Sequence, residues 1–238
     1  MVAIKDNTTV AELASAVPGS VRVFQQFGID FCCGGNKTLA QACKDTGVSL
    51  EGVLAGIVTA DHALAGVAET DWNSKTLTDL IAHILSKHHA YLHSEMPRLD
   101  AMIAKVFEAH SKNHADTLRP LAKTFAALRR ELEEHMWKEE NILFPLIQQI
   151  EKAQSTPGAS RPGMPVGGPI RMMEFEHESA GNALREIRRV TSDYTVPQDG
   201  CNTYRALFDG LQTLEADLHQ HIHLENNILF PRTLAIAK

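Results

Sequence analysis

Two segments of the chain repeat one pairing of histidine with glutamate at helical spacing. His135 and Glu139 stand in EEHMWKEENILFP (133–145), and His221 and Glu225 stand in HQHIHLENNILFP (219–231), so the two pairs are offset by 86 residues. Residues four apart share one face of a helix, which places an imidazole beside a carboxylate in each segment. The repeat predicts two equivalent helices that present the same two types of metal ligand.

Both pairs continue stripes that are otherwise apolar. In the first segment the stripe follows positions 121, 125, 128, 132, 135, 139, 142 and 146, and in the second it follows 207, 211, 214, 218, 221, 225 and 228. Steps of three and four keep a stripe on the buried face of a helix. An ionised carboxylate is costly to bury unless a positive charge pairs with it. Bound dications would meet that need, and imidazole with carboxylate suits iron, zinc or manganese.

Single histidines on two further helical stripes complete the proposed ligand set. His89 continues a stripe with Leu77, Ile81, Leu85, Leu92 and Met96, while His177 lies on a stripe with Met173 and Leu184. His88 and His93 lie close to His89 in the sequence and are alternative candidates for the ligand on this helix. Four imidazoles and two carboxylates suit two metals, each with two histidines, bridged by both glutamates. Ferritin-type sites use Glu-x-x-His and contain more carboxylate.

Several polar residues near these stripes have more than one interpretation. Glu131 and Glu176 each lie near a ligand histidine and are expected either to contact it or to be exposed surface charges. His219 and His223 point away from the face of His221, so we expect them in solvent or behind the ligands.

Long helices are needed to position these residues. The periodicity predicts helices near 76–108, 115–151, 170–190 and 201–236, with a Gly-, Pro- and Ser-rich loop at 153–169 and a break at TSDYTVPQDG. No segment alternates with period two, so we expect an all-α chain. We predict a small N-terminal helical domain at 1–60, a linker at 61–75 and an up-down four-helix bundle at 76–238.

The N-terminal segment contributes a pair of adjacent thiols. Thr8 or Thr9 could cap a first helix, and Thr38 followed by Gln41 indicates another helix start. Between them, FCCGG (31–35) is a turn by composition. Thiolates are soft ligands suited to iron–sulfur chemistry, so Cys32 and Cys33 are candidates for iron or electron transfer; a redox switch through a disulfide is the alternative. We expect the other two cysteines, 43 and 201, to be buried thiols.

Composition excludes several classes of function. The 238 residues carry a net charge of −6 without any basic run, so nucleic acid is an unexpected partner. No apolar stretch approaches the roughly 20 residues that a membrane span needs. The start of the chain lacks the pattern of a signal peptide, and we therefore expect a cytoplasmic protein.

Taken together, DFCCGGNKTLAQAC, HMWKEENILFP, EFEHESAG and HIHLENNILFP resemble the repair-of-iron-centres family. These are hemerythrin-like di-iron proteins linked to repair of iron–sulfur clusters damaged by nitric oxide and oxidants. The resemblance implies damaged iron–sulfur proteins as partners, nitric oxide or oxygen as small ligands, and a homodimer. It places the family's vicinal cysteines on Cys32 and Cys33. It also implies two non-haem irons, oxo- and carboxylate-bridged, held by His89, His135, Glu139, His177, His221 and Glu225.

One departure from the oxygen-carrying hemerythrins bears on activity. Those proteins have a second histidine one turn after the third-helix ligand, and here that position is Gly181. The iron on that side should therefore keep an open or solvent-filled position. Three functions follow from the resemblance and this difference: iron donation to damaged clusters, reduction of nitric oxide at paired ferrous ions, and reversible binding or sensing of oxygen or nitric oxide. Whether the chain is an enzyme is left open.

Overall fold

A computed structural model describes residues 7–64, 70–155 and 165–237. Within these ranges the chain is helical, and the extended pairing is limited to an isolated bridge between Thr9 and Thr38. The predicted all-α class is thus confirmed. Parts of the predicted linker (65–69) and of the predicted loop (156–164) lie outside the described residues. The chain forms two compact units, one of Met1–Leu80 with His219–Lys238 and the other of Ile81–Leu218.

Short, capped helices begin the first unit. The Thr9 hydroxyl accepts a hydrogen bond from the Glu12 backbone N–H, and the Glu12 carboxylate accepts one from the Thr9 N–H, which is a complete capping box. Thr38 likewise accepts from the backbone of Gln41. Both predicted helix starts are confirmed. The helices are α1 Val10–Ala16, α2 Pro18–Phe27, α3 Leu39–Thr46 and α4 Leu50–Leu64.

An apolar core around Phe24 and Phe31 holds these helices together. Their rings stack at 6.3 Å between centroids, and Ile222 from the last long helix belongs to the same core. The turn that follows Phe31 is tight. A Cβ on Gly35 would lie 2.9 Å from the Ala11 Cβ and 2.9 Å from the Phe31 carbonyl oxygen, so this position requires glycine.

Further helices, long and short, make up most of the remaining described residues. They are α5 Leu77–His83, α6 Ala90–Lys138, α7 Phe144–Ser155, α8 Gly167–Val190, α9 Asn202–Leu224 and α10 Phe230–Ile236. At His114 in α6, φ of −127° and ψ of 27° leave the helical region, which divides the two helices predicted to either side. No helix among the described residues is both long enough and apolar enough to cross a bilayer.

Four helical segments share the core of the second unit. Leucines dominate it, and Phe125, Tyr204 and Phe208 are its largest members with almost no exposed surface. The contributions come from residues 92–106, 118–136, 180–187 and 204–218. The predicted four-helix bundle is therefore present, with its apolar stripes facing inward.

Three turns of these helices are π-helical rather than α-helical. They are Ile84–His89, Glu139–Leu143 and Glu225–Leu229. Each one ends or begins at a predicted metal ligand. A π turn holds one residue more than the α turn it replaces, and such turns are frequent at functional sites.

The extra residue changes which side chains are buried beside two of these π turns, whereas Ile228 in the third is buried as predicted. After Glu139 the predicted stripe continued through Ile142 and Leu146, but Ile142 is 51% exposed, and Leu143 and Ile147 are buried instead. That part of the prediction was wrong, because one added residue rotates all following positions by about 100°.

The same displacement occurs before His89. The predicted stripe passed through Leu85, which is only half-buried, whereas Ile84 and His88 are buried. From His89 onward the predicted positions are buried as expected.

A polar network closes the connection between α8 and α9. Arg188 Nε donates to Glu215 Oε1 at 3.1 Å, and the Tyr194 hydroxyl donates to Glu215 Oε2 at 3.1 Å. Ser192, Asp193 and Tyr194 have φ of 49°, 58° and 57°, three successive left-handed residues. Such backbone is costly for residues other than glycine, so the buried Glu215 helps to hold it.

Candidate metal centre

Four predicted ligands meet inside the second unit, around Glu139. Glu139 Oε2 lies 3.3 Å from His89 Nε2 and 3.3 Å from His135 Nε2. His177 Nε2 lies 3.1 Å from His135 Nε2. The ligand atoms of His135, Glu139 and His177 all lie within 4.8 Å of one another, close enough to hold one metal ion. All four side chains are buried.

Carboxylates fix the outer nitrogens of two of these histidines. His89 Nδ1 is 2.8 Å from Glu140 Oε1, and His135 Nδ1 is 2.9 Å from Glu176 Oε2. An ionised carboxylate only accepts hydrogen bonds, so each Nδ1 carries the proton and donates. In a neutral imidazole the proton-free Nε2 then points inward with its lone pair, as in histidines that bind metals.

This arrangement fits a bound cation. The inward lone pairs of His89 and His135 face the carboxylate oxygen of Glu139, and acceptors this close repel one another. The 3.1 Å contact between His135 and His177 also needs a lone pair on at least one Nε2. A dication among these atoms would turn the repulsion into coordination, and the mixed nitrogen and oxygen donors suit iron, zinc or manganese.

Glu176 is held as a carboxylate. Its hydrogen bond with His135, together with its contact to Lys138, lowers the pKa of Glu176 to about 2. Of the two glutamates considered from the sequence, Glu176 is the one that contacts a ligand histidine. Glu131 instead accepts a hydrogen bond from the Ser179 hydroxyl at 3.0 Å.

The remaining two predicted ligands lie together in the first unit. His221 Nε2 is 3.1 Å from Glu225 Oε1, and both side chains are buried. This is the local geometry that His135 and Glu139 show at 3.3 Å, four residues apart on their own helix. The two copies of the motif are thus alike in structure as well as in sequence.

His88 and His93, the rivals of His89, have other contacts. His88 is buried with Nδ1 3.0 Å from Asp217 Oδ1, while His93 is 54% exposed with Nε2 3.3 Å from Glu140 Oε1. Sequence reasoning missed the part that Glu140 plays. Its position directly after Glu139 could have indicated this role. Glu139 faces the other ligands, and Glu140 contacts the outer nitrogen, Nδ1, of His89.

The Cys32–Cys33 turn carries a second type of donor group. The two Sγ atoms are 3.8 Å apart, so the pair is not joined by a disulfide bond. Asp30 Oδ1 accepts from the backbone N–H of Cys32 at 3.2 Å and of Cys33 at 2.9 Å. The ligand atoms of these three residues lie within 4.8 Å of one another. The hydrogen bond with Cys33, burial and the nearby Asp30 carboxylate raise the pKa of the Cys32 thiol.

One expectation about the cysteines was wrong. Cys43 is buried as predicted, but Cys201 is exposed, because it precedes α9 rather than lying on its apolar stripe. A hydrogen bond with His110 lowers the pKa of Cys201 to about 7. Of the two places expected for His223, in solvent or behind the ligands, the first is excluded: its ring packs 5.7 Å from that of Phe31, and burial lowers its pKa to about 4. His219 is half-buried, with its ring 6.1 Å from Phe31.

The helical core and the buried histidine–glutamate clusters are those of a hemerythrin-type bundle. Residues 80–233 match the family model described as the hemerythrin HHE cation binding domain. Residues 6–61 match the ScdA_N model, described as a domain of unknown function, DUF542.

Similar proteins assign the chain to a narrower group within the hemerythrin-type proteins. The chain is 38% identical over 231 residues to proteins named "Iron-sulfur cluster repair protein YtfE" from Yersinia pseudotuberculosis serotype IB (strain PB1/+) and from Yersinia pestis (strain Pestoides F). Each alignment covers 96% of this chain and 97% of the relative. The chain belongs to this family of hemerythrin-domain iron–sulfur cluster repair proteins.

Proposed function

We propose that this chain repairs damaged iron–sulfur clusters by donating iron from a di-iron centre. The observation that carries the proposal is the orientation of His89 and His135, whose outer nitrogens bind carboxylates while their inner nitrogens face buried Glu139. The curated relatives, named as iron–sulfur cluster repair proteins, support the assignment. The proposed ligands are His89, His135, Glu139, His177, His221 and Glu225.

The repeated motif suggests how the ligands are shared. Each copy provides one histidine and one glutamate, and His89 and His177 add one imidazole each. Two irons would then have two histidines apiece, with Glu139 and Glu225 as carboxylate bridges beside an oxo bridge. When bound, iron supplies a redox-active ion that can be transferred to a cluster.

Protons compete with the metal for every one of these residues. Iron requires deprotonated carboxylates and a free imidazole lone pair, so its release is accompanied by proton uptake. Glu140 and Glu176 keep the outer nitrogens of His89 and His135 protonated and thereby direct their lone pairs inward.

The thiol pair provides a route between the centre and a damaged client. We propose that Cys32 and Cys33, with the Asp30 carboxylate beside them, accept iron or electrons and pass them on. Because Gly181 has no side chain that could coordinate iron, we propose nitric oxide or oxygen as a small ligand on that side of the centre. Cytoplasmic location, a homodimer and the domain bounds 1–60, 61–75 and 76–238 remain predictions.

Metal analysis tests the centre. Protein purified without chelators should contain two irons per chain, with optical bands of an oxo bridge. The substitutions His221→Ala and Glu225→Ala should abolish both signals, whereas His219→Ala, on the same helix but outside the repeated pair, should retain them. Absence of iron, or a single tightly held zinc, would refute the proposal.

Transfer of iron tests the activity. Iron-loaded chain is mixed with an apo iron–sulfur protein, and both cluster formation and iron loss from the chain are followed. Donation predicts matching gain and loss, diminished by the double substitution Cys32→Ser with Cys33→Ser. Catalytic consumption of nitric oxide with a reductant, or reversible oxygen spectra without iron transfer, would assign the centre to another activity and refute donation.

A further inference from the structure

The helical turn that carries Glu225 also binds the turn that carries the thiols. Asn226 Nδ2 donates to the Cys32 carbonyl at 3.2 Å, and Asn227 Nδ2 donates to the Phe31 carbonyl at 2.8 Å. The two asparagines directly follow Glu225 in the third π turn. A predicted metal ligand and the anchors of the thiol turn are therefore consecutive residues.

The first copy of the motif shows that the helix itself does not require these contacts. At the positions equivalent to 226 and 227 stand Glu140 and Asn141. Glu140 accepts from His89, and Asn141 Nδ2 donates to the Trp137 carbonyl of its own helix at 2.8 Å. The same two positions thus have different partners in the two copies, and in the second copy both of them hold the turn that carries the thiols.

Further contacts support the two asparagines from behind. Asn227 Nδ2 is 2.8 Å from His223 Nδ1, and the Phe31 ring meets the ring of His223 edge-on at 5.7 Å. The Ser15 hydroxyl donates to the Asn227 carbonyl at 3.5 Å. Asn227 is therefore held in place by its neighbours at both its amide and its backbone carbonyl, which favours a fixed attachment over a chance surface contact.

We propose that Asn226 and Asn227 are positioning residues that link the Glu225 turn to the Cys32–Cys33 turn. The link makes access to the thiols depend on whether Glu225 holds metal. A π turn is a single-turn interruption of an α-helix, with hydrogen bonds from residue i to i+5, and such turns are frequent at functional sites. When Glu225 changes position on loss of metal, the next two residues move with it and loosen the thiol turn.

Thiol labelling tests the link without any activity assay. Parent protein and an Asn226→Ala, Asn227→Ala double variant are each treated with iodoacetamide, iron-loaded and after chelation, and labelling of Cys32 and Cys33 is followed by mass spectrometry. In the parent, chelation should speed labelling about tenfold, the effect of losing one or two hydrogen bonds of ordinary strength. In the variant, labelling should be fast in both states. Asn141→Ala is the matched control and should behave as the parent.

Two single variants test whether Asn226 acts through its hydrogen-bond donor or only through packing. Asn226→Glu introduces the residue of the first copy and removes the donor, so it should label fast while it keeps its iron. Asn226→Gln retains an amide donor and should restore part of the protection. Melting temperature is measured for each variant to confirm folding.

The outcomes distinguish this inference from the proposed function on which its role in repair rests. Unchanged labelling with normal iron content would overturn the link, as would loss of iron from the double variant to the level of Glu225→Ala. Parent protein that labels in an iron-dependent way but repairs no cluster would refute the repair function and leave the link standing. Support for both requires iron-dependent labelling in the parent and impaired repair in the double variant.

Discussion

Replacing Glu176 with glutamine should weaken iron binding at His135. Glu176 Oε2 lies 2.9 Å from His135 Nδ1, and with a pKa of about 2 the group is ionised at neutral pH. Glutamine has nearly the same shape and an oxygen that still accepts, so the substitution removes the charge and leaves packing intact. The hydrogen bond from His135 then loses its charge assistance, which makes the imidazole a poorer donor of its lone pair to iron.

The expected magnitude follows from the behaviour of carboxylates behind metal-bound histidines. Loss of such a partner lowers metal affinity about 10- to 100-fold, or about 1.4–2.7 kcal/mol. Glu176 supports His135, which contacts His177, whereas His89 is supported by a different carboxylate, Glu140. The effect of the substitution should therefore fall on one of the two irons. Titration of iron-loaded protein with a chelator should show one iron leaving at a lower chelator concentration than the other.

Glu131→Gln is the matched control for this experiment. Glu131 lies one turn before His135 on the same helix but accepts from Ser179. Its glutamine variant should give the parental chelation curve. The explanation would be refuted if both variants lost iron alike, or if Glu176→Gln retained iron as tightly as the parent.

Three further substitutions test other parts of the structure. Gly35→Ala should destabilise the protein by about 1–3 kcal/mol in denaturant unfolding, since the added methyl meets packed atoms at 2.9 Å, and no destabilisation would refute that packing. Glu215→Ala should lower the melting temperature by an amount equivalent to about 2–3 kcal/mol, below the usual cost of breaking a buried ion pair because Arg188 is partly exposed; an unchanged melting temperature would contradict this. Cys201 should be the first cysteine alkylated, with a rate that rises through pH 7 as the thiolate forms and that falls in His110→Ala; equal labelling of all four thiols would contradict this.

Much of the centre could be predicted because its residues violate the pattern around them. Histidine and glutamate on stripes of leucine and phenylalanine are costly to bury alone, and repetition at a fixed offset makes coincidence improbable. Four of the six predicted ligands, those at 89, 135, 139 and 177, lie together in one unit, and the pair at 221 and 225 lies together in the other. The family membership agrees with the chemistry inferred from these residues.

The errors in the predicted stripes share one physical cause. A stripe extrapolated at α-helical spacing assumes constant register, and the π turns at 84–89 and 139–143 break that register by one residue. Ile142 is therefore exposed where burial was expected, and Leu143 takes its place. The residue types in ENILFP are compatible with an α turn as well as with a π turn. The sequence therefore gives no sign of the extra residue in this turn.

Contacts between segments that are distant along the chain could not be predicted from the sequence either. The attachments of Asn226 and Asn227 join positions nearly two hundred residues apart, and asparagine on a helix surface is compatible with many partners. The sequence left two places open for His223 for the same reason, since only the folded chain shows Phe31 against it.

The π turns at Glu139 and Glu225 begin at the same residue in both copies of the motif. Removing one residue from either turn would restore the α-helical register and rotate every later side chain of that helix by about 100°. The length of each turn therefore fixes which face the helix presents beyond its glutamate, so a change of one residue there would alter packing well outside the metal centre.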